Sequence, residues 1–212
     1  MARTYAYSAD FDKEVESLFK DAKLLGEGHN GIVYEVPGNK AIKIFINKKV
    51  CKSEAEILYK VKKSKYFPNI YKNGDFYILR EMVHGKRLDH YIEENGLSQQ
   101  LIYNIYILIK EFKYLKFTKL DARCRDIYVN KDERVKVIDP KQCYKRKVDY
   151  PRHLMKGLDG KDILEEFLRG IYIIDRRKAE EWEKTGRTTE SMISRSSVSP
   201  VQVHPTLVWQ AP

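Results

Sequence analysis

The chain has 212 residues, 42% of them hydrophobic and 33% charged, which excludes wholesale disorder and allows one sizeable core or two small ones. Forty Lys and Arg against thirty Asp and Glu give a net charge of +10. That balance favours polyanionic partners without choosing among nucleotides, nucleic acids and acidic protein surfaces.

Three cysteines, Cys51, Cys124 and Cys143, contain no C-x-x-C pair, so neither a disulfide framework nor a structural zinc site is expected, and a cytoplasmic location fits them. No apolar run reaches the roughly 20 residues of a membrane helix. Asp10, Asp12, Glu14 and Glu16 argue against a leading signal peptide. The five histidines are scattered without metal-ligand spacing and read as surface or locally satisfied groups.

In chain order, Phe11–Lys20 has the apolar spacing of a short helix. Leu24 to Ile46 alternates in β-branched runs, broken by Gly26, Gly28, Gly31 and the turn Pro37-Gly38-Asn39, which predicts three strands. Ser53–Lys65 returns to helical spacing. Asn69–Tyr71 and Phe76–Val83 read as two further strands. After Gly85 the pattern turns helical: Leu88–Glu94, then a long apolar helix from Gln99 to about Phe117 with Ser98 as its cap. A small hairpin, Ile127–Asn130 and Val135–Ile138, interrupts it. Helices follow at His153–Leu158, Ile163–Ile174 and Arg176–Lys184, and 186–212 reads as a flexible Ser/Thr/Pro-containing tail.

Gly26-Glu27-Gly28-His29-Asn30-Gly31-Ile32-Val33 fits G-x-G-x-x-G-x-V, a turn whose backbone N–H groups reach phosphate without obstruction by Cβ. A dinucleotide fingerprint needs a helix directly after the glycines, whereas Ile32–Val36 reads as strand, so that alternative fails. Ala41-Ile42-Lys43 places a lysine on the next strand, either facing water or positioned to neutralise phosphate. Glu54, beside the apolar face at the opening of the following helix, is preferred over Glu56 as its partner.

Leu120-Asp121-Ala122-Arg123-Cys124-Arg125-Asp126, followed by a hairpin that ends at Asp139, completes a pattern that resembles the protein kinases. An alternative register, with Cys124-Arg125-Asp126 as the catalytic triplet and Asn130 as metal ligand, has the wrong intervals. The resemblance runs from about Leu24 to Asp139. It implies an α+β, bilobal fold: an N-lobe over 23–83, with a five-stranded antiparallel sheet and one helix, and a reduced helical C-lobe over 84–185, preceded by an arm over 1–22. It also implies ATP with Mg2+ (Mn2+ as an alternative). By resemblance, Asp121 serves the attacking hydroxyl, Arg123 stabilises the transferring phosphoryl group, and Lys43 and Glu54 position phosphates. Asp126 and Asp139 hold metal. Gly26, Gly28, Gly31, Val33 and Ala41 enclose the nucleotide, and backbone groups of Glu81 and Val83 meet the adenine edge.

Departures are specific. Asp126 stands where the family has Asn, so like-charge repulsion should raise a carboxylate pKa in the cluster. Lys119-Leu120 replaces His-Arg, Arg80 precedes the hinge and is expected to reach toward Glu54 or Asp139, and Asp139-Pro140-Lys141 replaces D-F-G. No A-P-E motif follows, and the stretch from Asp139 to Thr185 is too short for a long activation segment. The reduction resembles RIO-type and other small atypical kinases. The expected activity is serine/threonine phosphorylation of the chain itself or an acidic protein. A small-molecule kinase and a nucleotide-binding assembly factor contacting RNA or a ribonucleoprotein, through Lys141, Lys145, Arg146 and Lys147, are the alternatives.

Overall fold

A computed structural model describes residues 9–196, with side chains through Gly186. It is an α+β protein. Its larger sheet has five antiparallel strands: β1 (Lys23–Gly28), β2 (Gly31–Val36), β3 (Lys40–Phe45), β4 (Ile70–Asn73) and β5 (Tyr77–Glu81), in the order β1-β2-β3-β5-β4. Alternation along β3 divides its side chains between two faces. Ile42 and Ile44 pack with Val36, Tyr77 and Leu79 beneath α1 (Lys13–Phe19), whose Val15 completes that small core. Lys43 and Phe45 point the other way, toward the main core. Arg80 shares the Lys43 face, because its register partner is Ala41 and its strand neighbour Ile78 lies in the main core.

Helix α2 (Lys48–Lys60) begins five residues before the predicted Ser53. Asn47 is the cause: its side chain accepts from the N–H groups of Lys49 and Val50, satisfying donors that a helix start leaves free. The lysine-rich first turn has no apolar periodicity to reveal it. Glu54 therefore lies within the helix, not at its opening, and is buried on the same side as Cys51, Ala55 and Leu58.

A second sheet pairs β6 (Lys86–Arg87), β7 (Ile127–Val129) and β8 (Val135–Val137), all antiparallel. The two-residue β6 is too short to show a period in sequence. Gly85 precedes it with φ +118°, and a Cβ there would stand 2.2 Å from the Val129 carbonyl oxygen, so only glycine fits. Helices α3 (Leu88–Asn95), α4 (Gln99–Tyr114), α5 (Arg152–Asp159), α6 (Leu164–Ile174) and α7 (Arg176–Ser196) complete the fold. Leu101, Ile105, Leu108 and Phe112 make α4 the centre of the main core. α4 ends short of the predicted Phe117, because Lys116 takes a left-handed φ of 58° and folds Phe117 back onto Phe112.

Helix α7 continues past Gly186, where loss of periodicity predicts a tail. Arg187–Ser196 contains no proline or glycine, so nothing in it breaks a helix already under way. The remainder of that predicted tail lies outside the described residues, as do residues 1–8 of the predicted arm over 1–22. Among the described residues no helix is long and apolar enough to cross a membrane, and the three cysteines are free and buried.

Candidate active site

The β-alternation that turns Lys43 inward gives the site its central contact. Lys43 Nζ donates to both Glu54 carboxylate oxygens, at 2.9 and 2.6 Å, and to Asp139 Oδ1 at 3.3 Å. Lys43 is 7% exposed and Glu54 3%. In so dry a place an ion pair persists only if its hydrogen-bonding capacity is met, and the two-oxygen grip on Nζ meets it. Burial pushes the Glu54 carboxyl up to about 7 against the pull of Lys43. Burial would raise Asp139 as well, but Lys43 and Lys141 together outweigh it and hold that carboxyl down at about 2.

Arg80 is 4% exposed on the same sheet face, and its Nε and Nη1 have no hydrogen-bond partner. Burial lowers its pKa, opposed by the charges of Glu54 and Asp139 in turn. The expected reach toward those two carboxylates is electrostatic; no hydrogen bond joins Arg80 to either.

Asp126 ends the 3-10 turn Cys124–Asp126, and its backbone carbonyl accepts from Ile138 N–H at 2.9 Å. That bond fixes the end of the β7–β8 hairpin so that Asp126 and Asp139 line one cleft of about 170 Å3. The Asp126 carboxyl is raised, first by burial and next by Asp139, so the anticipated repulsion is present but second in size. Arg123 is exposed and lines the same cleft with Lys141 and Arg146. Two carboxylates are a hard-oxygen donor set of the kind Mg2+ takes together with phosphate oxygens and waters. Among the described residues no group of three or more His, Cys, Asp or Glu side chains could hold a metal by itself.

The glycine-rich turn joins β1 to β2 through His29-Asn30. β1 is exposed along its whole length, and a Cβ added at Gly26 would meet nothing within 4 Å. Gly31 differs. Its φ is +149°, and a Cβ would lie 1.8 Å from the Ile44 carbonyl oxygen. Ala41 and Val33 sit on β3 and β2 beside Lys43; Ala41 is buried and Val33 is the cross-strand partner of Lys43. At the sheet's edge Glu81 N–H donates to Asn69 O at 2.8 Å, the Glu81 carboxylate pairs with Lys136 on β8, and Val83 is buried.

Asp121 is positioned unlike the other carboxylates. Leu120 N–H donates to Val148 O at 2.7 Å, which anchors its loop. Pro151, ahead of α5, has no side chain able to cap that helix. Asp121 does so from across the fold: its Oδ1 accepts from His153 N–H at 2.9 Å and Leu154 N–H at 3.4 Å, while Oδ2 meets His153 Nδ1. The Asp121 side chain retains no accessible surface. His153 and Arg80's unpartnered nitrogens are the features the spacing analysis missed or left open. His153 lies 32 residues from Asp121 and belongs to no local motif.

The chain resembles serine/threonine protein kinases at a distance. Over 141 residues it is 26% identical to a protein of Bacillus subtilis (strain 168) named "Putative serine/threonine-protein kinase YrzF". The match covers 64% of this chain and 65% of that protein, so the chain spans less than two thirds of its relative. No protein-family profile matches the chain.

Proposed function

We propose that the chain is an ATP- and Mg2+-dependent phosphotransferase, a small atypical serine/threonine protein kinase that acts on itself or on a protein partner. The observation that carries this reading is the junction of Lys43, Glu54 and Asp139. It joins a strand and the helix that follows it to a loop 96 residues from Lys43, and it concentrates paired charge near the half-buried Asp126 carboxylate. The similarity to a protein named as a kinase supports it.

In this reading the five-stranded sheet with α2 forms one lobe, the helices form the other, and the triphosphate lies in the cleft between them. Gly26, Gly28 and Gly31 cover the phosphates, Val33 and Ala41 form the wall of the base site, and backbone groups of Glu81 and Val83 meet the adenine edge. Lys43, held by Glu54, neutralises phosphate oxygens. Asp126 and Asp139 would hold Mg2+, which would supply positive charge to offset that of the phosphates. Lys141 gives up its contact with Asp139 to a phosphate or to solvent. Arg123 stabilises charge on the transferring group, and Asp121 serves the acceptor end.

Radiolabelled ATP with the full chain tests this, comparing the parent with Asp139→Ala and Lys43→Met. Label on protein from the parent alone is the expected result; equal labelling by all three removes the site from the reaction. A second reading draws on Lys141, whose ammonium occupies Asp139 Oδ2 in this state. There the chain binds nucleotide without turnover and contacts RNA through Lys141, Lys145, Arg146 and Lys147. Mg2+·ATP binding without product, with salt-sensitive RNA association, would favour it.

A further inference from the structure

The Asp121 carboxylate cannot touch an acceptor in this state. Its side chain has no accessible surface, and both its oxygens are engaged by the first turn of α5. Asp121 and His153 both border the cleft, but of the two only His153 has exposed side-chain surface. The His153 side chain is 30% exposed and lines the cleft with Arg123, Asp126 and Asp139.

A carboxylate only accepts hydrogen bonds, so the ring nitrogen that meets Asp121, Nδ1, carries the hydrogen. The neutral ring then keeps its lone pair on Nε2, and among the described residues no hydrogen bond engages that atom. Ring and backbone of one residue are held by the same carboxylate, which fixes both the tautomer and the orientation of the imidazole.

From this geometry we propose that His153 is the proton acceptor for the attacking hydroxyl, with Asp121 as its positioning residue. The inference rests on the phosphotransfer reading and names the base of that reaction. The acceptor's O–H bond breaks and its proton passes to His153 Nε2. The oxygen's electron pair forms a bond to the γ-phosphorus. The bond from that phosphorus to the bridging oxygen breaks, and ADP leaves with the electron pair. The imidazolium faces the Asp121 carboxylate until it returns the proton to solvent. Other charges around His153 are Arg152 on its own helix, Lys119, Arg123 and Asp126 from the loop and 3-10 turn, and Asp139, Lys141 and Arg146 lining the same cleft. Carboxylates and cations are both represented, so no single sign dominates the ring's surroundings.

The test uses the full chain with Mg2+ and γ-labelled ATP, following labelled protein and released phosphate. His153→Gln keeps a donor for Asp121 and leaves the backbone cap in place. It should lower kcat about 100-fold or more, leave KM for ATP within twofold, and preserve the rise in Tm on adding Mg2+·ATP. Imidazole in the buffer should restore turnover to His153→Ala, which a merely structural role would not allow. Parental kcat in His153→Gln would overturn the assignment while leaving phosphotransfer intact. A parent that turns over no ATP, or labels no more than Asp139→Ala, would overturn phosphotransfer and this inference together.

Discussion

Lys43 on β3 and Asp139 beyond β8 are 96 residues apart in the chain and meet at 3.3 Å. Their contact closes a charge relay that begins at Glu54, so the Lys43 ammonium serves two carboxylates at once, one fully dry and one at the cleft. Removing the lysine strands Glu54, while Asp139 keeps Lys141.

Lys43→Ala should therefore abolish turnover and also destabilise the fold. Breaking a buried pair by deleting one partner costs about 3–5 kcal/mol. Glu54 can relieve the stress by taking up a proton, so the loss should be smaller at pH 5 than at pH 8. Urea denaturation of parent and variant at the two pH values measures the difference; equal losses would show that Glu54 is not the stranded group.

Stability should itself depend on pH through Glu54. Its carboxyl is raised from 4.5 to about 7 in the fold, so the native state binds more protons than the unfolded chain between those values. This contribution is fully present below pH 4.5 and is lost as pH rises through about 7. Asp139 has the opposite sign: its carboxyl is lowered from 3.8 to about 2, so its contribution holds above pH 3.8 and is lost as pH falls through about 2. Glu54→Gln should flatten the decline between pH 5 and 8 in a thermal-unfolding series. An unchanged slope would exclude Glu54 as its source.

The two glycines of the turn separate structure from binding. Gly31→Ala forces a Cβ against the Ile44 carbonyl from a left-handed φ, and should lower stability by about 2–3 kcal/mol, read as a fall in Tm. Gly26→Ala meets only open space, so Tm should stay near the parent's while the Tm rise on adding Mg2+·ATP shrinks. A Gly26→Ala protein with the full nucleotide-dependent rise would remove that residue from the phosphate cover.

Arg80→Met replaces a buried guanidinium, two of whose nitrogens lack partners, with an apolar chain of similar reach. Unmet buried donors are costly, so Tm should equal or exceed the parent's. A fall of many degrees would mean that attraction from Glu54 and Asp139 outweighs the missing hydrogen bonds.

Local pattern was enough for the five strands of the larger sheet and for the inward turn of Lys43, because alternation in β2 and β3 fixes which side chains turn inward. Asp126 and Asp139 were legible for a related reason: a short hairpin between them leaves little freedom in their separation. Glu54 was found although the start of α2 was misplaced, since burial of an acid among Cys51, Ala55 and Leu58 depends on helical phase and not on where the helix begins. β6 was missed because two residues carry no period, and the extension of α7 because a helix can continue without an apolar face. His153 left no trace in sequence. Its role comes from a cap that α5 borrows across the fold, and no spacing rule spans that interval.

That borrowed cap bears on how inactive alleles are interpreted. An alanine at Asp121, the customary choice for silencing a kinase, would remove acceptors from two backbone N–H groups at the start of α5 and release the His153 ring. Part of the resulting phenotype would come from a frayed helix and lower protein abundance. A null allele built on Asp139 would separate lost chemistry from lost protein more cleanly.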